Sequence, residues 1–139
     1  MKNLKYLFLF VAVVSLSLSS CKKDDDPSFE EQLVGVWFAT QVAYTNCDEP
    51  MYNETIAFPS NCDSENCIRF TFEDDGILGL YFKEDGDIEQ SSGTYSGDED
   101  AFTMCNDGDC VTGTMDIDGD TAIFSYEEDG CDATFTFKR

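Results

Sequence analysis

Five Asp-Gly pairs punctuate the second half of this 139-residue chain, at Asp75-Gly76, Asp85-Gly86, Asp107-Gly108, Asp118-Gly119 and Asp129-Gly130, and Gly97-Asp98 fills the one long gap. Short runs rich in Phe, Tyr, Ile, Thr and Val lie between them. Asp tolerates and Gly favours the positive φ angles of tight hairpin turns, so this alternation predicts consecutive antiparallel strands. Seven strands are expected after residue 67, over 68–73, 77–83, 90–96, 101–105, 110–117, 121–127 and 132–138. An earlier run, 34–44, switches to Val, Trp, Phe, Ala, Thr and Tyr and supplies an eighth. Hairpin linkage without long crossovers favours an all-β, up-and-down meander, and eight antiparallel strands can close into a small barrel that leaves no exposed edge.

Alternation gives each strand one apolar face. Ile68, Phe70 and Phe72 share a side, as do Leu78, Leu80 and Phe82; Phe102 and Met104; Val111, Met115 and Ile117; Ala122, Phe124 and Tyr126; and Ala133, Phe135 and Phe137. Thr, Glu, Asp and Ser occupy the opposite faces, the pattern of a sheet with one dry side. The first strand breaks the rule: Val36, Phe38, Val42 and Tyr44 fall opposite Trp37 in strict alternation, so either a bulge or two buried faces is expected there.

The N-terminus has a different purpose. Lys2 and Lys5 precede an apolar run from Leu7 to Leu18 broken only by Ser15 and Ser17, too short to span a bilayer and flanked as a secretory leader is. Leu18-Ser19-Ser20-Cys21 resembles the lipobox of bacterial lipoproteins, whose Cys is diacylated and becomes the new N-terminus. The following Lys22-Lys23-Asp24-Asp25-Asp26 is similar to the signal that sends lipoproteins to the cell surface in Bacteroidota. The expected organisation is a lipoprotein signal peptide over 1–20, a lipidated flexible tether over 21–27 and a β-barrel domain over 28–139. Ser28 and Glu31 fit a capping box, which predicts one helical turn over 29–33 ahead of the first strand. The resemblance implies attachment to the outer membrane through Cys21, with the protein facing outward.

Removal of residues 1–20 leaves 6 basic against 29 acidic residues. So negative a surface repels phosphate backbones, and nucleic acid is not expected as a partner. No histidine is present, which eliminates Ser-His and Cys-His nucleophilic pairs and the commonest zinc ligand. Most carboxylates fall in turns, where solvated side chains are the simplest account, so no catalytic residue, metal or cofactor is assigned. Asp116-Ile117-Asp118-Gly119-Asp120 has the spacing of the start of a calcium loop but lacks the Gly at position six and the Glu at twelve.

Six cysteines remain besides Cys21: Cys47, Cys62, Cys67, Cys105, Cys110 and Cys131. An even count in an exported domain predicts disulfides. Cys105 and Cys110 bracket a short turn and would face each other across a hairpin. For the rest, two sets stay open: Cys62 with Cys67 and Cys47 with Cys131, or Cys47 with Cys67 and Cys62 with Cys131. Residues 45–66 carry Cys47 and Cys62 with Pro50 and Pro59, Cys67 following directly, and read as a lid or disulfide-fastened flap holding at most a brief strand at Ile56-Ala57-Phe58.

Gly35-Val36-Trp37, standing at the start of the first strand after a helical turn, resembles the Gly-x-Trp motif of the lipocalins and their small bacterial lipoprotein relatives. Phe70-Thr71-Phe72 followed by Asp75-Gly76 is similar to that group, and the long loop after strand one stands where lipocalins carry their lid. The resemblance implies a lipocalin-like barrel, with Arg139 laid over Trp37. It also implies a small apolar ligand, for which Trp37, Phe70, Phe72, Phe102, Met104, Phe124, Tyr126, Phe135 and Phe137 are the candidate lining. The alternative is a ligand-free protein-interaction module, its barrel filled by those same side chains and its binding surface on the 45–66 flap. A monomer is expected in either case.

Overall fold

A computed structural model describes residues 26–139; the expected signal peptide, Cys21 and most of the expected tether lie outside the described residues. The domain opens on the short helix α1 (Phe29–Leu33). Ser28 caps it reciprocally: the Glu31 backbone N–H donates to Ser28 Oγ at 3.2 Å, and the Ser28 N–H donates to Glu31 Oε2 at 2.8 Å. Nine strands follow: β1 (Gly35–Thr45), β2 (Glu54–Ala57), β3 (Cys67–Phe72), β4 (Ile77–Glu84), β5 (Asp87–Ser96), β6 (Phe102–Asn106), β7 (Asp109–Asp118), β8 (Thr121–Glu128) and β9 (Cys131–Lys138).

Every pairing is antiparallel, and from β3 to β9 each strand neighbours the next in sequence. Pairing of β1 with both β3 and β9 closes eight strands into an up-and-down barrel. The ninth, β2, is additional to the eight and overlaps the brief strand expected at Ile56-Ala57-Phe58, beginning two residues earlier and ending at Ala57. It runs beside Gln41–Tyr44 of β1, where β3 has already left that edge after Phe38.

Turn chemistry sets the register. At Asp85-Gly86, Asp107-Gly108 and Asp129-Gly130 both residues have positive φ, which gives two-residue hairpins whose twist matches that of the strands. The β6–β7 turn is therefore two residues long, shorter than the four expected, and Asn106 pairs directly with Asp109. In the other two pairs only the glycine is left-handed, Gly76 closing a longer turn and Gly119 standing first in its own.

The irregularity of β1 is a bulge at Thr40. Its register against β9 slips between Ala39 and Gln41, so Trp37 and Ala39 point inward below the bulge and Val42 above it; all three are buried. One extra residue thus reconciles the conflicting parities, and two buried faces are not needed.

Packing divides the barrel in two. At the end nearest α1, Leu33, Trp37, Phe72, Phe102, Met115 and Phe137 are almost wholly sealed from solvent. Phe102 stands at the centre of this half, edge-on to Phe29 at 5.8 Å and to Phe124 at 5.9 Å between ring centroids. Hydrophobic closure suffices there. The opposite end carries all three disulfides, Cys47–Cys131, Cys62–Cys67 and Cys105–Cys110. The first of the two open pairing schemes is the one adopted, because the top of β1 meets the start of β9 only once the barrel has closed.

Candidate functional site

Above the packed half the barrel is hollow. A cavity of about 480 Å³ opens at the disulfide-bearing end, with Phe70, Leu80, Met104, Phe124, Val111 and Phe135 among its walls. Phe124 is fully buried at its floor, and Phe124, Tyr126 and Phe135 form a stacked run along β8 and β9, with centroid separations of 5.1 and 6.2 Å. Of the nine candidate lining residues, Phe70, Met104, Phe124, Tyr126 and Phe135 border this cup. Trp37, Phe72, Phe102 and Phe137 do not: they lie beneath its floor, in the sealed half. Phe82 reaches the mouth, where it is 37% exposed.

Inward parity continues past the apolar residues onto polar ones. Asn106 follows Phe102 and Met104 on β6, and Glu128 follows Phe124 and Tyr126 on β8. Both border the cup, together with Asp107 and Asp109 of the β6–β7 hairpin. Asn106 Oδ1 is buried without a hydrogen-bond partner, a costly state for an amide oxygen. Glu128 Oε2 accepts from the Tyr126 hydroxyl at 3.0 Å and from the Tyr44 hydroxyl at 3.4 Å. Burial, then the hydrogen bond to Glu128 and its negative charge, push the Tyr126 phenol well above the usual tyrosine range. Burial and the Glu128 charge raise Tyr44 in the same direction. Both phenols therefore stay protonated as donors, and the carboxylate is their shared acceptor.

A second hollow of about 590 Å³ adjoins the first and shares Glu128 with it. Tyr44, Met51, Tyr52 and Glu54 border it, so the flap forms one wall of this outer chamber and contributes nothing to the walls of the cup. The flap is fastened at several points besides its disulfides. Asp48 N–H donates to the Gly130 carbonyl at 3.0 Å and Asp85 N–H to Asn66 Oδ1 at 2.8 Å, while Cys47 N–H donates to Asn53 Oδ1 at 3.1 Å within the flap itself.

The Gly35, Trp37 and Arg139 constellation lies at the other end of the barrel. Gly35 has a φ of +138°, a conformation that side-chain-bearing residues rarely adopt, and this lets the chain turn directly from α1 into β1. Trp37 Nε1 donates to the Leu33 carbonyl at 2.7 Å. Arg139 lies over the Trp37 ring and donates to the carbonyls of Gln32 and Gly119 at 3.0 and 3.2 Å. The three residues plug the base of the barrel and do not meet the cup.

Asp116 and Asp118 end β7, and Asp120 stands in the following turn, where its carboxylate is 3.5 Å from Arg139 Nε. Among the described residues no group of three or more His, Cys, Asp or Glu side chains converges as a metal site would. The chain matches no protein-family model, and it matches no curated protein.

Proposed function

We propose that this chain is a lipid-anchored barrel, held to the outer membrane through Cys21 with its domain facing outward, that takes up a small apolar molecule through its open end. The observation that carries the reading is the division of the barrel into a solid base and a hollow, aromatic-walled cup. A volume of about 480 Å³ falls within the roughly 300–1,000 Å³ typical of small-ligand pockets. Three disulfides fasten neighbouring strands and the flap around the mouth, which stiffens the rim and preorganises the cup for a ligand. The anchor rests on the leader and on Leu18-Ser19-Ser20-Cys21, and two or more acyl chains would hold the protein stably. Kinship with the lipocalins is inferred from Gly35, Trp37 and Arg139.

Native mass spectrometry of protein taken from its own membrane tests both halves. The expected species carries the mass of a diacylglycerol on Cys21 and a retained small molecule in the barrel. An unmodified secreted form would overturn the anchor, and consistently empty protein that takes up no apolar probe would overturn the cup.

A second reading draws on the flap, where Met51 is 78% and Tyr52 59% exposed. Large apolar side chains displayed together suit a protein partner. Cross-linking from Tyr52 to one envelope protein, with the barrel empty, would favour that interaction module over the ligand carrier.

A further inference from the structure

We infer that the ligand of the cup is an amphiphilic cation, its apolar tail among Phe70, Met104, Phe124 and Phe135 and its protonated amine at the Glu128 carboxylate. The inference rests on the reading of the cup as a ligand site and adds the chemistry of the head group.

Three observations converge on it. Glu128 is the residue where the aromatic cup and the outer chamber meet, so a molecule with its tail in the first places its head beside this carboxylate. Both tyrosine hydroxyls address Oε2, and among the described residues Oε1 receives no hydrogen bond from the protein. An ammonium can donate to that free oxygen in a charge-assisted hydrogen bond. On the facing wall, the amide oxygen of Asn106 is buried and unpartnered, a second acceptor in want of a donor.

Charge excludes the opposite choice. No Lys or Arg borders either hollow, whereas Glu54, Asp107, Asp109, Glu128 and Asp129 do. The described basic side chains are engaged or placed elsewhere: Arg69 stacks on Tyr81, Lys83 donates to the Cys62 carbonyl, and Lys138 and Arg139 end the chain at the sealed base. Lys83 stands at the rim but is turned to the Cys62 carbonyl, so a fatty carboxylate seated in the cup would have only carboxylates among the charged lining residues as it lost water.

A matched series tests the head group: n-dodecylamine, n-dodecanol and n-dodecanoate share one tail, and calorimetry with the full mature chain reads their affinities. The amine is expected to bind at least about tenfold more tightly than the alcohol, with dodecanoate weakest. E128Q should bring the amine to the level of the alcohol. E127Q removes the same charge from the exposed outer face and should leave all three as they were. Equal affinity of amine and alcohol, a preference for dodecanoate, or equal weakening by E127Q and E128Q would overturn the cationic head and leave the apolar cup standing. Failure of all three ligands, dodecanol included, would overturn the cup itself.

Discussion

The Arg139 guanidinium sits 4.5 Å from the centroid of the Trp37 ring, joining the last residue of the chain to the first strand. Its two terminal nitrogens reach the carbonyl of Gln32, in the last turn of α1, and that of Gly119, in the β7–β8 turn. A helix end leaves carbonyls without internal partners, and here an arginine fork satisfies one of them while covering an aromatic face. We predict that R139A loses about 1–3 kcal/mol, the sum of a cation–π contact and hydrogen bonds that water can partly replace. R139K should fall between, because an ammonium keeps the charge but cannot reproduce the fork. Urea unfolding of the three proteins measures this, and an unchanged midpoint for R139A would refute it.

The three disulfides should differ in value according to the loops they close. Cys47–Cys131 spans a sequence separation of 84, whereas Cys62–Cys67 and Cys105–Cys110 each span 5. Loop-closure entropy predicts about 4–5 kcal/mol for the first and about 2 kcal/mol for either of the others. Paired Cys→Ser variants, compared by denaturant unfolding, should rank in that order. A C105S/C110S variant as damaged as C47S/C131S would show that local geometry, and not chain entropy, governs the mouth.

Much of this architecture was legible because its signals are local. Asp85-Gly86, Asp107-Gly108 and Asp129-Gly130 each carry their own turn, so strand number and hairpin order follow from adjacent residues. Where partners are distant, legibility fails. The broken parity of β1 announces a bulge or two buried faces, but the register of β1 against β9 decides for the bulge at Thr40; a brief strand near Ile56 is legible, but its pairing follows only because β3 vacates the upper edge of β1. Trp37, Phe72, Phe102 and Phe137 read as lining because parity tells inside from outside but says nothing of height along the barrel. Glu128 does not stand out in sequence among 29 acidic residues, nor Asn106 beside its turn. Yet a signal was present, since each extends the inward parity of its strand by one more step.

Two glycines should respond to alanine in opposite ways. A Cβ on Gly113 would lie 2.0 Å from the Ser125 carbonyl oxygen and 2.8 Å from Tyr126 Cβ, at the point where β7 leaves β8 to continue beside β6 alone. The close approach of backbone is possible only without a side chain, so G113A should cost several kcal/mol or shift the β7–β8 register. Gly79 meets nothing nearer than 3.4 Å, at Thr71 Cβ, and has no positive φ. G79A should therefore stay within about 0.5 kcal/mol of wild type or stabilise slightly, by reducing the freedom of the unfolded chain. Thermal unfolding of both variants decides it, and a harmless G113A would contradict the bend.

Alkaline pH should expose the tyrosines at the two ends of the barrel. Tyr126 and Tyr44 are raised by burial and by Glu128, and Tyr95 by burial and then by Glu30 and nearby aspartates. A phenol is neutral when protonated. Above the ordinary tyrosine pKa of about 10 the unfolded chain therefore loses protons that the folded chain keeps, and stability falls as pH rises. Below about pH 10 these groups are protonated in both states, and their contribution is fully present and constant. Unfolding midpoints measured across the alkaline range should hold level as far as the tyrosines are concerned and then drop. In Y126F the fall should be shallower, because the largest of the three shifts has been removed, while at neutral pH the lost hydrogen bond to Glu128 should cost about 1–2 kcal/mol. An alkaline limb as steep in Y126F as in wild type would mean that the Tyr126 hydroxyl meets solvent freely and does not serve Glu128 at the mouth.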